Sequence, residues 1–441
     1  MKTLRLIVAS LWLIPLPLRA FQQADLYDTV ITGGRILNGS GVEHIYAADI
    51  GISGGKIVDV GYLQKGGRQT IDARGYWVTP GFIDLHSRSD SSVLEKEKAL
   101  NSLYQGVTLV VLEGQAFPKT LPRAIPSNDL SKKDARGTPR RYLESLQTRG
   151  IALNVTSYFS SGRLRECVLG FGNRPATRSE LEQMKILAAT AMRDGAVGLS
   201  SRFSSVPGSY CQTDELIELA RIARAHGGIY STDLRTEGAD PRDGLRECLL
   251  IAEKTGIGVE IEHMDSNAGL HAADFIQMID KARKMKLDVE ANIRPGDCEE
   301  SIIPAIKEPW VNFGSADEVA LTNSAGNSQS DLLGIFPSLV GICARGRNIL
   351  SPEEMVYRMT WMAARRLNIK DRGRIAPGMA ADLAIFKPEV ISNPATYKPS
   401  VKGPRAIEWL LMNGRLVIDG GTYTGALPGE VIRGPGYMSR K

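Results

Sequence analysis

Cysteine and histidine are scarce in this chain: 441 residues hold five of each. The cysteines (Cys167, Cys211, Cys248, Cys298 and Cys343) are odd in number and widely spaced. That excludes a disulfide framework and a thiolate zinc site. They read as small buried residues, with one disulfide allowed in an oxidising compartment. A basic run is also missing. The formal charge is +5, and Lys2, Arg5 and Arg19 of the first twenty residues carry part of it. Nucleic acid is therefore not an expected partner. Beyond residue 20 no apolar run is long enough to span a bilayer. No Gly-x-x-x-x-Gly-Lys loop, dinucleotide glycine fingerprint or Gly-x-Ser-x-Gly elbow occurs, which sets aside three common enzyme designs.

What is present begins with residues 1–20. Lys2 and Arg5 precede an apolar run from Leu6 to Leu18, and Ala20 offers a small residue at a cleavage point. This pattern predicts a signal peptide and an exported protein, periplasmic or secreted. The chain is 43% hydrophobic and 23% charged, a globular balance, and long enough for one large domain and a smaller one.

Strand patterns broken by glycine fill the start, at 29–36, 47–53 and 56–60, with Gly54-Gly55 as a hairpin turn. The end matches them. Strands are expected at 381–386, 409–412 and 415–418, the last two joined by Asn413-Gly414. Two β-rich ends around a different middle predict one small β-domain built from both termini, residues 24–75 and 369–441. Between them, 76–368 alternates strand and helix. Apolar runs fall at 107–112, 152–155, 196–199, 228–232, 258–263 and 287–292. Ser179 with Glu182 suggests a capping box, Thr213-Asp214-Glu215 a helix start, and Ser351-Pro352-Glu353-Glu354 another. Alternation of this length favours a parallel α/β barrel, with a doubly wound sheet as the alternative. In a barrel the chemistry gathers at the C-terminal ends of the strands.

Those ends carry the candidate residues. The segment Pro80-Gly81-Phe82-Ile83-Asp84-Leu85-His86 closes an apolar run on a histidine, with Arg88 two residues on. Residues so spaced on a strand share a face. His263 ends another run. His44, His226 and His271 fall in contexts read as structural or surface. Asp90, Glu113, Asp233, Glu262 and Asp265 are strand-end carboxylates, of which Glu113, Asp233 and Asp265 are singled out. Arg88, Arg235 and Arg294 lie in the same layer. A metal site needs neutral or anionic ligands, and Arg88 would repel the ion.

These pieces resemble a known family. The Pro80–His86 segment is similar to the strand-one signature of the amidohydrolase superfamily. Gln105-Gly106-Val107-Thr108, Gly195-Ala196-Val197-Gly198-Leu199-Ser200-Ser201, Gly227-Gly228-Ile229-Tyr230 with Arg235, Glu262-His263-Met264 and Pro377-Gly378-Met379-Ala380-Ala381-Asp382-Leu383 narrow the likeness. In this order they resemble the D-aminoacylases, the N-acyl-D-amino-acid deacylases. The resemblance implies a (β/α)8 TIM-like barrel with a small composite β-sandwich, and zinc-dependent hydrolysis of the amide in small N-acyl-D-amino acids. Residue by residue, it implies metal ligands at His86, His263 and, near the bridging position, Glu113. The second histidine position falls on Arg88 and another on Asp233. A substrate-binding lysine falls on Asp265, a tyrosine on Arg294, and the general base on Asn323. Arg235 is expected to hold an anionic ligand group or to pair with Glu237 or Asp233. The segment 296–312 reads as shorter than the family's.

Asn323 has no basic oxygen to take a proton, and Arg88 places a fixed positive charge where a cation belongs. Two readings follow. One is an amidohydrolase with at most one zinc, held by His86, His263, Asp233 and Glu113. The other is a non-catalytic relative that binds a small ligand or a protein partner, in which an Arg88–Asp233 salt bridge stands where the ion would be.

Overall fold

The structure is a computed structural model. It describes residues 26–42, 44–87, 100, 102–114, 139–235, 240–264, 272–293, 300–314, 336, 339–340, 347–391 and 407–438. Arg88, Asp90, Asp265, His271, Arg294, Asn323, Cys298, Cys343 and the expected signal peptide lie outside the described residues, as does Glu237.

The first strands are β1 (Tyr27–Ile36), β2 (Tyr46–Ser53), β3 (Lys56–Gly61), β4 (Gly67–Asp72) and β5 (Trp77–Pro80). The barrel strands follow: β6 (Phe82–Ser87), β7 (Val107–Leu112), β8 (Asn154–Ser157), β9 (Phe159–Ser160), β10 (Gly198–Ser201), β11 (Ile229–Thr232), β12 (Val259–Ile261), β13 (Val289–Ile293) and β14 (Val311–Phe313). The last are β15 (Leu383–Phe386), β16 (Ile407–Met412), β17 (Arg415–Asp419) and β18 (Thr422–Tyr423).

Both chain ends meet in one nine-stranded sheet, ordered β18-β17-β16-β15-β5-β1-β2-β3 with β4 beside β1. The two ends join where β15 pairs antiparallel with β5, Leu383 opposite Pro80. The Gly54-Gly55 turn has φ of 58° and 77°, and Asn413-Gly414 has 48° and 75°. Left-handed backbone at both central residues is what such tight hairpins demand. A core of Ile31, Ile36, Ile50, Ile52, Val78, Leu383 and Leu411 lies under this sheet.

β6 to β14 are parallel and form two ladders, β6-β7-β8 and β9 through β14. β8 and β9 are halves of one strand interrupted at Tyr158, so they fill eight barrel positions. Every residue of β6 and β7 is buried, as expected for strands covered on both faces. Helices from Arg178–Asp194, Thr213–Ala225, Pro241–Thr255 and Ala272–Lys284 pack between them. The observed strand ends lie within two residues of the expected ones. β16 starts two residues before 409, at Ile407, with a bulge against β15 between Ile407 and Trp409. The capping box is different. Thr177 and Glu180 cap the Arg178–Asp194 helix, not Ser179 and Glu182. The Ser351 cap with Pro352 in the first turn is observed, while the Thr213 helix is capped from Gln212.

Inside the barrel, Arg366 runs up from the helix Trp361–Arg366 to Glu260 on β12. Its Nε lies 3.0 Å from Glu260 Oε2 and its Nη1 2.8 Å from Asp288. Asn312 Nδ2 donates to Glu260 Oε1 at 3.0 Å. A second polar knot fastens barrel to sheet. Arg372 is paired with Asp382, Asn154 donates to Asp382 at 2.9 Å, and Asn413 donates to Asn154 at 2.8 Å. The C-terminal stretch then runs along the barrel, with Ile432 N bonded to Val155 O and Gly434 N to Gly195 O. Among the described residues no helix is long and apolar enough to cross a membrane.

Candidate active site

Four strands deliver the site. His86 is the penultimate residue of β6, Glu113 follows β7, Asp233 follows β11, and Glu262-His263 follow β12. Arg202 follows β10. All lie at the C-terminal ends of the barrel strands, where parallel barrels keep their chemistry.

His86 is the centre. Its Nε2 lies 2.6 Å from Glu113 Oε1 and its Nδ1 2.7 Å from Glu262 Oε2. All three side chains are buried. Burial opposes a proton on His86, but the carboxylates of Glu262 and Glu113 outweigh it and hold the ring well above the usual histidine range. Neither ring nitrogen has a hydrogen-bond partner in line with it, although both carboxylates are in ion-pair reach. The His263 ring meets the His86 ring edge-on, centroids 4.9 Å apart. His263 sits at φ 53°, a left-handed conformation unusual for a non-glycine residue, and its N–H is fixed by Asn292 Oδ1 at 3.0 Å. Strain of this kind collects where a side chain must be aimed.

Ligand atoms of His86, Glu262 and His263 all fall within 4.8 Å of one another. Among the described residues these three, rather than Glu113 or Asp233, make the convergent set. In the sequence Glu262 is only one strand-end carboxylate among several. Its aim is set by Ser231, whose hydroxyl donates to Oε1 at 2.5 Å. Two imidazoles and a carboxylate are a common zinc donor set, and His86 has buried nitrogens with no aligned partner, so the residues fit a divalent ion. A cation arriving there must displace the proton on His86.

Asp233 lies in the same layer. Its Oδ1 accepts the Phe203 N–H at 3.0 Å. Burial, with Glu262's charge adding to it, pushes its carboxyl up to about 7. The Arg88–Asp233 salt bridge involves a residue outside the described ones, and so do the substrate roles of Asp265 and Arg294 and the base position Asn323. Arg235 is described, and its guanidinium is occupied. Nε lies 3.1 Å from Glu247 Oε2, Nη1 donates to Ser209 O at 2.9 Å and Nη2 to Cys211 O at 2.7 Å. It stacks on the Phe203 ring at 4.0 Å. Its partner is Glu247 rather than Glu237 or Asp233, and its visible work is to brace the loop after β10. Sequence reasoning missed Arg202. Its Nη2 is 2.6 Å from Glu113 Oε1, and its side chain is 21% exposed.

A composite sheet carrying a barrel whose strand ends present buried histidines and carboxylates is the architecture of the amidohydrolases, where the chain's structural neighbours lie. Its homologues are D-aminoacylase and N-acyl-D-glutamate deacylase. The D-aminoacylase of Alcaligenes xylosoxydans xylosoxydans is 27% identical over 92% of this chain and 97% of its own length. The N-acyl-D-glutamate deacylase of the same organism is 26% identical, over 92% and 96%. Among solved structures, the N-acyl-D-glutamate deacylase of Bordetella bronchiseptica, complexed with zinc and a phosphonate inhibitor, superposes with a TM-score of 0.79 at 25% identity, covering 93% of this chain and 100% of that one. No protein-family model matches the chain.

Proposed function

We propose that this protein is an exported, metal-dependent hydrolase of the amide bond in N-acyl-D-amino-acid-like compounds, working with a single zinc ion. One observation carries the reading: His86, Glu262 and His263 converge, buried, at the ends of barrel strands. These three would hold the ion, which when bound supplies Lewis acidity toward an amide carbonyl and toward water. The protein's own part is to orient and to move a proton. Ser231 fixes Glu262, and Asn292 fixes the His263 backbone. Asp233, a carboxylate outside the convergent set, is assigned to take the proton from water and pass it to the leaving nitrogen. The relatives' names supply the substrate class, and residues 1–20 the export.

A second reading is favoured by one feature. Arg202, Glu113, His86 and Glu262 form a chain of alternating charge that is neutralised without an ion. On that reading the protein is a non-catalytic binder of a small ligand or protein.

The test is metal content of the purified mature protein together with turnover on a panel of N-acetyl-D-amino acids. Stoichiometric zinc and turnover, with turnover lost in Asp233→Asn while zinc is kept, is the expected result. A folded protein that neither takes up zinc nor turns over any member of the panel would overturn the hydrolase reading. N-terminal sequencing of the exported form tests cleavage after the apolar run.

A further inference from the structure

We infer that Arg202 is the specificity-determining residue that holds the substrate carboxylate in this chain. This rests on the hydrolase reading above and adds the residue that reads the substrate's acid group. Three observations carry it.

The first is position. Arg202 Nη2 and His86 Nε2 approach the same oxygen, Glu113 Oε1, each at 2.6 Å. Guanidinium and imidazole are thus linked through one atom. In an N-acyl amino acid the reacting carbonyl and the carboxylate are separated only by the amide nitrogen and the α-carbon. A cation one carboxylate away from His86 stands at the reach such a ligand needs.

The second is availability. Arg202 Nε and Nη1 make no hydrogen bond among the described residues, and the side chain is partly open to solvent. Arginine offers a planar fork of donors that suits a carboxylate two-pronged. Glu113 takes one nitrogen and leaves the remaining edge. Arg235, the other described arginine in this layer, is occupied by Glu247 and two carbonyls.

The third is rigidity. The next residue, Phe203, is pinned on both sides: Asp233 accepts its N–H, and the Arg235 guanidinium covers its ring. Behind it Ser200 Oγ donates to Glu113 O at 2.7 Å. A guanidinium set between two anchored neighbours is pre-organised, which lowers the ordering cost of binding.

The experiment compares N-acetyl-D-leucine with its C-terminal carboxamide on the zinc-loaded mature protein. The wild type is expected to prefer the acid in kcat/KM. In Arg202→Gln that preference falls about 10- to 100-fold, the range for one charged hydrogen-bonded contact. Arg202→Lys retains part of it. An acid-to-amide ratio unchanged in Arg202→Gln, or a wild type with no preference, overturns the inference and leaves the hydrolase reading standing. If neither compound is turned over, the hydrolase reading has failed by itself. Calorimetric binding of the same two compounds then decides Arg202: tighter binding of the acid, weakened in Arg202→Gln, supports it, and equal affinities refute it. Should Arg202→Gln not fold, the acid-to-amide comparison on the wild type and Arg202→Lys decides the matter in the same way.

Discussion

Glu262 Oε2 lies 2.7 Å from His86 Nδ1 while Ser231 holds the opposite oxygen at 2.5 Å. The carboxylate is aimed before any ion or ligand arrives. Glu262→Gln keeps the shape and removes the anionic donor. Its zinc affinity should fall at least about 10- to 100-fold, the usual cost of disturbing even the outer partners of a metal site. Competition against a chromogenic chelator measures it, and an unchanged affinity would remove Glu262 from the set.

Zinc should stabilise the folded chain. At a free concentration about 100 times the dissociation constant, the gain is about 2.7 kcal/mol. Melting curves of chelator-treated protein with and without added zinc show it. The increment should disappear in His263→Ala, whose metal-free melting point serves as the reference.

The Arg366–Glu260 pair predicts a stability loss with no direct bearing on the metal. Arg366 is 6% exposed and Glu260 fully buried. Removing one member of a buried pair strands the other, at about 3–5 kcal/mol. Arg366→Met should therefore unfold at markedly lower urea, while the double change Arg366→Met with Glu260→Gln recovers part of the loss. Equal midpoints for the wild type and Arg366→Met would contradict this.

Glu180 gives a pH prediction. Its hydrogen bond with Arg174 comes first among the causes that lower its carboxyl to about 2 from an ordinary 4.5. The folded state thus holds the proton less tightly than the unfolded one. The resulting stability is complete above about pH 4.5 and is lost as pH falls through 2. Glu180→Gln should cost about 1 kcal/mol near neutral pH, as helix caps do, with the gap to wild type narrowing below about pH 4.5. A gap of constant size from about pH 7 to about pH 3 would count against it.

Much of this molecule is legible in local pattern, for definable reasons. Gly54-Gly55 and Asn413-Gly414 announce hairpins because few other residue pairs tolerate left-handed backbone. The barrel strands show as apolar runs because both their faces are covered. The misplaced capping box has an equally local cause. Thr177-x-x-Glu180 and Ser179-x-x-Glu182 overlap, and only the path of the chain into the helix selects the first. The site is harder to read. His86 and His263 stand out as rare residues at strand ends. Glu262 does not, since a strand-end glutamate looks like solvated surface until Ser231 and His86, distant in sequence, are seen beside it. Arg202 is hidden for the same reason: its meaning lies in Glu113, beyond a different strand. Arg235 shows the reverse. Its sequence position suggests a ligand contact, and the fold gives it to Glu247.

The pairing of β5 with β15 has a consequence for how the protein is made. The ribosome finishes Trp77–Pro80 long before Leu383–Phe386. At about 5–20 residues per second the delay is on the order of 15–60 s. Until then the β5 side of the first-made half of the sheet is an open edge, able to join any passing strand. The last-made strands close that edge, so a chain cut short before Leu383 would leave its opening hairpins without their native neighbour.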